Sequence, residues 1–171
     1  MTTSSGQTYL AIPGPSVIPE EVLRSMHRSA PNIYEGELIE ITKSLIPDLN
    51  YVARSSGNVA IYIANGHGIW EAALSNIATA NDHILVVATG RFAHGWAEMA
   101  RKLGFKVDVV DFGKNRALDI EVLAKKLKSE PKTKYKAILM THVDTSTSVK
   151  NDILTVRKKL DEMNCSALLA V

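Results

Sequence analysis

From about residue 58 onward, apolar residues in this chain alternate between two spacings. The short runs Val59–Ala64, His83–Ala88, Phe105–Val110, Lys136–Thr141 and Ser166–Val171 are largely apolar, as strands buried on both faces are. Between them, Ile69–Ala78, Ala93–Leu103, Asp119–Lys128 and Asp152–Met163 repeat apolar residues at the helical period. Gly66–Gly68, Asn81–Asp82, Gly104 and Pro131 punctuate the switches. Strands alternating with helices predict βαβ crossovers, and so an α/β fold with a mainly parallel sheet covered on both faces.

The earlier part is looser. Residues 2–8 are rich in Ser, Thr and Gly and are expected to be mobile, and Ile12-Pro13-Gly14-Pro15 reads as a rigid turn. Pro19 with Glu20 and Glu21 opens a short helix to about Met26, because proline and carboxylates both suit a first turn. Leu38, Ile41 and Leu45 give a helix over Glu37–Leu45, which Pro47 is expected to stop. The chain ends inside the apolar run Ala167–Val171. A strand of a parallel sheet serves a site only with the loop after it, so the chain is expected to be the N-terminal piece of a longer protein.

Composition narrows the function classes. The 171 residues carry 20 Lys plus Arg against 18 Asp plus Glu, without the basic excess of a nucleic-acid binder. At 46% hydrophobic residues the chain can bury an ordinary core, yet no apolar run approaches the roughly 20 residues of a membrane helix. Cys165 is the only cysteine, so no internal disulfide and no zinc-type Cys/His spacing is available. The opening residues show no basic segment leading into an apolar core. An intracellular protein is expected, with neither nucleic acid nor membrane as partner.

Three loops carry candidate chemistry. In Asn65-Gly66-His67-Gly68, two glycines would let the backbone approach a ligand, and the N–H groups of the following helix would form an anion site, with His67 as a further donor. The segment has neither a Walker lysine nor the Gly-x-Gly-x-x-Gly spacing, which disfavours ATP and NAD; an unliganded tight turn is the plain alternative. In Thr89-Gly90-Arg91-Phe92-Ala93-His94-Gly95-Trp96, Phe92 could stack on a flat ring, whereas Trp96 is expected to pack inward and His94 simply to start a helix. Thr141-His142-Val143-Asp144-Thr145-Ser146-Thr147-Ser148 clusters hydroxyls after a strand, where an ordinary polar loop is the alternative. A catalytic His142–Asp144 pair is disfavoured, and no Gly-x-Ser-x-Gly elbow exists for a serine hydrolase. All three loops are expected at strand C-termini of one sheet, where doubly wound folds bind ligands. A phosphate site, a ring stacker and a hydroxyl cluster together suit pyridoxal 5'-phosphate.

The ordered motifs resemble the class V, fold-type I pyridoxal-phosphate aminotransferases, in particular their alanine–glyoxylate and serine–glyoxylate branch. Pro13-Gly14-Pro15 with Ile18-Pro19 resembles that family's N-terminal segment, and Asn65 to Ala73 its phosphate loop. Gly90-Arg91-Phe92 resembles the stretch with the stacking aromatic, and Thr141 to Thr147 its Thr-His-x-Glu-Thr-Ser-Thr-Gly signature. Ala167–Val171 resembles the strand leading to the ring-nitrogen aspartate. The resemblance implies a truncated three-layer α/β/α large domain, with residues 1–20 as an N-terminal arm and 21–171 as the first part of that domain. It implies that Gly66, His67 and Gly68 hold the cofactor phosphate, Phe92 stacks on the ring, Thr145 bonds near its hydroxyl, and Pro13 and Gly14 lie toward the substrate. It further implies a homodimer that moves an amino group from alanine or serine to a 2-oxo acid such as glyoxylate.

Two departures stand out: Asp144 occupies the place of the signature glutamate, and Ser148 that of its last glycine. The family's ring-nitrogen aspartate and Schiff-base lysine would follow Val171, so no catalytic residue is expected in these 171 residues, and the segment alone is expected not to transaminate. A non-catalytic phosphate-binding or interaction module is the rival reading.

Overall fold

The computed structural model describes residues 10–12 and 14–171; the Ser/Thr/Gly-rich start and Pro13 lie outside the described residues. The chain divides into two compact units, residues 1–62 and 63–171.

In the first unit, helix α1 (Glu20–Met26) starts where Pro19 and the two glutamates predict. Helix α2 (Glu37–Ala53) corrects the expectation at Pro47, for it runs through the proline and ends only where Arg54 turns left-handed at φ 51°. Proline removes one N–H and frees the Lys43 carbonyl, but Lys43 is exposed, so water can take up that carbonyl. The apolar repeat then resumes at Ile46, Leu49 and Val52 and carries the helix on.

The second unit contains α3 (Gly66–Ile77), β1 (His83–Ala88), α4 (Arg91–Lys102), β2 (Lys106–Asp111), α5 (Ile120–Lys128) and β3 (Tyr135–Met140). A two-residue hairpin pair, β4 (Val143–Asp144) and β5 (Val149–Lys150), then precedes α6 (Ile153–Glu162) and β6 (Leu168–Ala170). The apolar run Val59–Ala64 forms no strand, which corrects a second expectation. A β pattern needs a neighbouring backbone to pair with, and Ile61, Tyr62 and Ile63 are exposed.

The four long strands make one parallel sheet in the order β2-β1-β3-β6. Side-chain alternation divides it into two faces. Ile84, Val86, Ala88, Ala137 and Leu139 pack with Leu74 of α3 and with Ala93, Trp96, Ala97 and Ala100 of α4. Leu85, Val87, Ile138 and Met140 pack on the other face with Leu123 and Leu127 of α5 and Val156 and Leu160 of α6. The near-continuous apolar runs of β1 and β3 are thus explained: each residue has a helix waiting on its side of a three-layer α/β/α sandwich. The chain leaves β1 toward the α4 face and leaves β3 toward the α6 face. Their C-terminal ends therefore flank the switch point of the sheet, the place where open α/β sheets bind ligands.

Charge pins the second face from the side. Asp108 of β2 accepts hydrogen bonds from the Tyr135 hydroxyl at 2.6 Å and from Lys134 Nζ at 2.9 Å, and Lys134 and Lys126 both pair with Glu130. The Tyr135 hydroxyl and then Lys134 hold the Asp108 carboxyl down at about 2. A carboxyl depressed in the folded state stabilises it above its ordinary range and loses that contribution as pH falls toward 2. Tyr135→Phe is therefore expected to lower stability at pH 5, and its deficit relative to the parent should shrink between pH 4 and pH 2. Urea unfolding at pH 5, 4 and 2 checks this, and a deficit independent of pH would show that Asp108 is not its source.

Candidate functional site

The site is built where β1 and β3 end. Leaving β1, the chain passes Thr89 and Gly90 and enters α4; leaving β3, it forms the β4–β5 hairpin before α6. These two exits are tied by side chains, one of them fully buried and one half-buried. Asn151, fully buried, donates to the Thr89 hydroxyl at 2.9 Å and the Thr141 carbonyl at 2.8 Å, and accepts from the Leu118 N–H at 3.0 Å. Thr147 Oγ1 donates to the Thr89 carbonyl at 3.1 Å.

Asp144 makes the closest connection. Helix α4 begins at Gly90, which has no side chain to cap it. The cap comes from fifty residues away: Asp144 Oδ2 accepts the Phe92 N–H at 3.0 Å and the Ala93 N–H at 3.4 Å. The other oxygen, Oδ1, accepts the Ser146 N–H at 3.0 Å and its hydroxyl at 2.6 Å, while Ser146 Oγ accepts the Arg91 N–H at 3.0 Å. Three first-turn amides are thereby satisfied. Gly90 is required by this packing and not by its backbone, which is extended at φ 173°; a β-carbon there would overlap the Asp144 carboxylate. The carboxylate's neighbours are thus amides and a hydroxyl, with His142 exposed and not among them.

The N-terminus of α3 is arranged differently. Asn65 caps it, its side chain accepting the Gly68 N–H at 3.1 Å and its carbonyl the Ile69 N–H. The Gly66 and His67 amides remain as first-turn donors. Gly68 is a tight fit, since a β-carbon there would come within 2.7 Å of the Ala64 β-carbon, whereas Gly66 has open space around it. This turn follows no strand, so only two of the three candidate loops lie at strand C-termini, which corrects the sequence expectation. It nevertheless meets the second loop: the His67 and Phe92 ring centroids are 6.2 Å apart. Both rings line a groove of about 640 Å³ together with Glu71, Arg91 and His94.

The rings continue inward as a chain. Trp70 stands edge-on to His67 at 4.7 Å and to Phe92 at 6.3 Å, and stacks on Trp96 at 5.2 Å and 11°. Trp96 is 3% exposed, inward as expected, while His94 bonds Asp111 at 3.1 Å across the helix start. Thr145 is exposed, next to Asp144, and does not line the His67–Phe92 groove. Gly14 lies in the first unit and is exposed. Asn151 and the capping role of Asp144 escaped the sequence reading; the one available signal was a helix start, Gly90-Arg91, with no capping side chain of its own. Among the described residues, no three His, Cys, Asp or Glu side chains gather as a metal site, and no helix is long and apolar enough to cross a membrane. A second hollow, about 490 Å³, lies at the strand N-terminal edge beside Pro131, Tyr135 and Cys165, away from these loops.

Comparison with known proteins adds sequence to geometry. The model of the aminotransferase class-V family matches residues 50–171. The chain is 35% identical over 167 residues to a serine–glyoxylate aminotransferase of Arabidopsis thaliana, covering 97% of this chain and 42% of that protein. It is 33% identical over 171 residues to a serine–glyoxylate aminotransferase of Methylorubrum extorquens, covering 99% and 42%. Among solved structures, an alanine–glyoxylate aminotransferase from Nostoc sp. superposes with a TM-score of 0.81 over 92% of this chain and 41% of that one; at 22% identity this is a likeness of fold. The chain thus spans about two fifths of the length of these relatives.

Two outcomes test the loop geometry. Asn151→Ala should cost about 2–4 kcal/mol in urea unfolding, since three hydrogen bonds at a buried position are lost and two backbone groups are left unpaired. Ser148, where the resembling signature has glycine, sits at φ 58° in the last position of the four-residue β4–β5 loop. Ser148→Gly should therefore raise stability, by up to about 1 kcal/mol, and an unchanged or lower midpoint would show the left-handed residue to be unstrained.

Proposed function

Because the chain belongs to the class-V aminotransferase family, we propose that the protein built on it uses pyridoxal 5'-phosphate to move an amino group from a small L-amino acid, serine or alanine, to a 2-oxo acid such as glyoxylate. The serine–glyoxylate names of the Arabidopsis thaliana and Methylorubrum extorquens relatives support the serine branch. In this reading residues 21–171 are the first part of the cofactor-binding large domain, residues 1–20 an arm, and the protein a homodimer.

The observation that carries the proposal is the contrast between the two helix starts. The start of α4 is already filled by the Asp144 carboxylate, and a phosphate there would meet a like charge. The start of α3 keeps the Gly66 and His67 amides free and opens beside Phe92 in one groove. An anion and a flat ring carried by one small molecule fit that pair of features, with the phosphate on α3 and the ring against Phe92. The bare α-carbons of Gly66 and Gly68 leave the turn thin, and Gly68 passes its own N–H to Asn65. His67 stands beside the phosphate position as a further donor. Thr145, next to Asp144 and outside that groove, is assigned to the ring's oxygen by family resemblance, as Pro13 and Gly14 are to the substrate side.

Pyridoxal phosphate, when bound, supplies the electron sink that stabilises negative charge at the α-carbon of an amino-acid substrate. What this chain's residues contribute is binding and orientation. The α3 amides fix one end of the cofactor, and the Phe92 face excludes water from one side of the ring and sets its plane.

Titration of the apo protein with pyridoxal phosphate, followed by visible absorbance and circular dichroism, is the test. Saturable binding with a defined visible dichroic band is expected. Phe92→Ala should weaken retention by about 1 kcal/mol, the size of a stacking contribution. Unchanged affinity would remove Phe92 from the site. Cofactor binding without glyoxylate-dependent amino transfer would leave a binding module in place of an enzyme.

A further inference from the structure

We propose that Asp144 is the positioning residue for Phe92: its buried carboxylate fixes the first turn of α4, and through it the ring that faces the cofactor. The inference rests on the cofactor reading above and adds a residue to it that acts through the backbone, with no contact to the cofactor required.

The case is geometric. A phenylalanine at a helix start has a ring only as well placed as its own peptide, and the first turn is the part of a helix whose amides lack internal partners. Here the Phe92 N–H ends on Asp144 Oδ2 at 3.0 Å, and the amides on either side of it, Arg91 and Ala93, end on Ser146 Oγ and on the same carboxylate oxygen. Asp144 is itself immobilised. It is fully buried, its Oδ1 takes the Ser146 N–H and hydroxyl, and its carbonyl takes the Thr147 and Ser148 N–H groups at 3.1 and 2.8 Å. Gly90 leaves the space that the carboxylate fills. The Phe92 ring itself lies edge-on to Trp70 at 6.3 Å and tilted to His67 at 6.2 Å, aromatic contacts of weak directional preference. The hydrogen bonds of Asp144 are thus the directional restraint on Phe92.

Asp144→Asn is a sharp probe of this role. Both carboxylate oxygens accept, one toward α4 and one toward Ser146, whereas an amide can accept on one side only and must turn its NH₂ toward N–H donors on the other. The side chain keeps its size, so the core is not disturbed. Ser146→Ala is the milder companion, removing the hydroxyl that bridges the Arg91 N–H and Asp144 while leaving the carboxylate on Phe92.

The experiment is a double-mutant cycle on the complete protein, with pyridoxal-phosphate affinity and the visible dichroism of the bound cofactor as readouts. Amide hydrogen exchange at Phe92 and Ala93 is followed in parallel in the apo form. Asp144→Asn is expected to speed exchange at both amides, reduce the dichroic band, and weaken retention about as much as Phe92→Ala does, roughly fivefold. In the Phe92→Ala background the same substitution should add less than about twofold, because residues that act as one unit do not add. Ser146→Ala should show the same pattern at smaller amplitude. An equal loss in both backgrounds would overturn the proposal, since Asp144 would then act on the cofactor by another route. No loss from Asp144→Asn beside a clear loss from Phe92→Ala would overturn it too, while leaving the cofactor reading standing. If Phe92→Ala itself changes nothing, the ring assignment falls and the positioning role with it.

Discussion

A parallel sheet creates a difficulty at its C-terminal edge that the helices on its faces do not solve. When β1 and β3 end side by side and their chains leave toward opposite faces, the peptide groups just beyond the last ladder bond lose their partners while still sheltered from water. In this chain the gap is closed by side chains. Asn151, Asp144, Ser146 and Thr147 together satisfy the amides or carbonyls of Thr89, Arg91, Phe92, Ala93, Leu118 and Thr141. All four come from one short stretch, the β4–β5 hairpin and the residue after it. That hairpin is only two residues long on each arm, too short to be a sheet in its own right. Its structural role is to present polar side chains to the β1 exit.

The consequence for the site is that its floor is rigid and its wall is soft. The floor is a hydrogen-bonded crossing of two strand exits. The wall is a line of aromatic rings, His67, Trp70, Phe92 and Trp96, in contact by edges and one stacked pair. Ring contacts contribute area and dispersion with weak directional preference, whereas each hydrogen bond of the floor fixes a distance. A flat ligand seated between them would gain orientation from the first and adaptable contact from the second. The same division separates the two helix starts, one consumed by a carboxylate of the chain, the other left with free amides.

How much of this could be read from the sequence follows from what each feature depends on. The β1 and β3 runs and the α4, α5 and α6 repeats were legible because burial on two faces, or on one stripe, imposes a period on the residues themselves. Asp119 and Asp152, the residues from which the last two helical repeats were read, are local caps, and both accept first-turn amides. Val59–Ala64 was misread because its β character needs a neighbouring strand, a non-local condition that periodicity does not encode. Pro47 was misread because the cost of a proline depends on whether the freed carbonyl is wet, which is a matter of exposure. The Asp144 cap was invisible for a related reason: a helix start without its own Ser, Thr, Asp or Asn implies a cap from elsewhere, but not from where.

The two departures from the family signature are best understood together with Gly90. Aspartate reaches one methylene less far than glutamate. At position 144 its carboxylate already lies against the bare α-carbon of Gly90, with both oxygens committed. A longer side chain on the same backbone would have to fold back or push the α4 start outward, and either motion would carry Phe92 with it. The shorter residue therefore demands a hairpin that approaches α4 closely. A tight four-residue loop closing on a left-handed residue, Ser148 at φ 58° with its N–H on the Asp144 carbonyl at 2.8 Å, delivers that approach. Glycine would adopt this conformation without strain; serine adopts it at a cost, in a loop that Thr147 ties to the Thr89 carbonyl. Residues 90, 144 and 148 thus form one steric and hydrogen-bonding unit, in which a change at any member alters what the other two can tolerate.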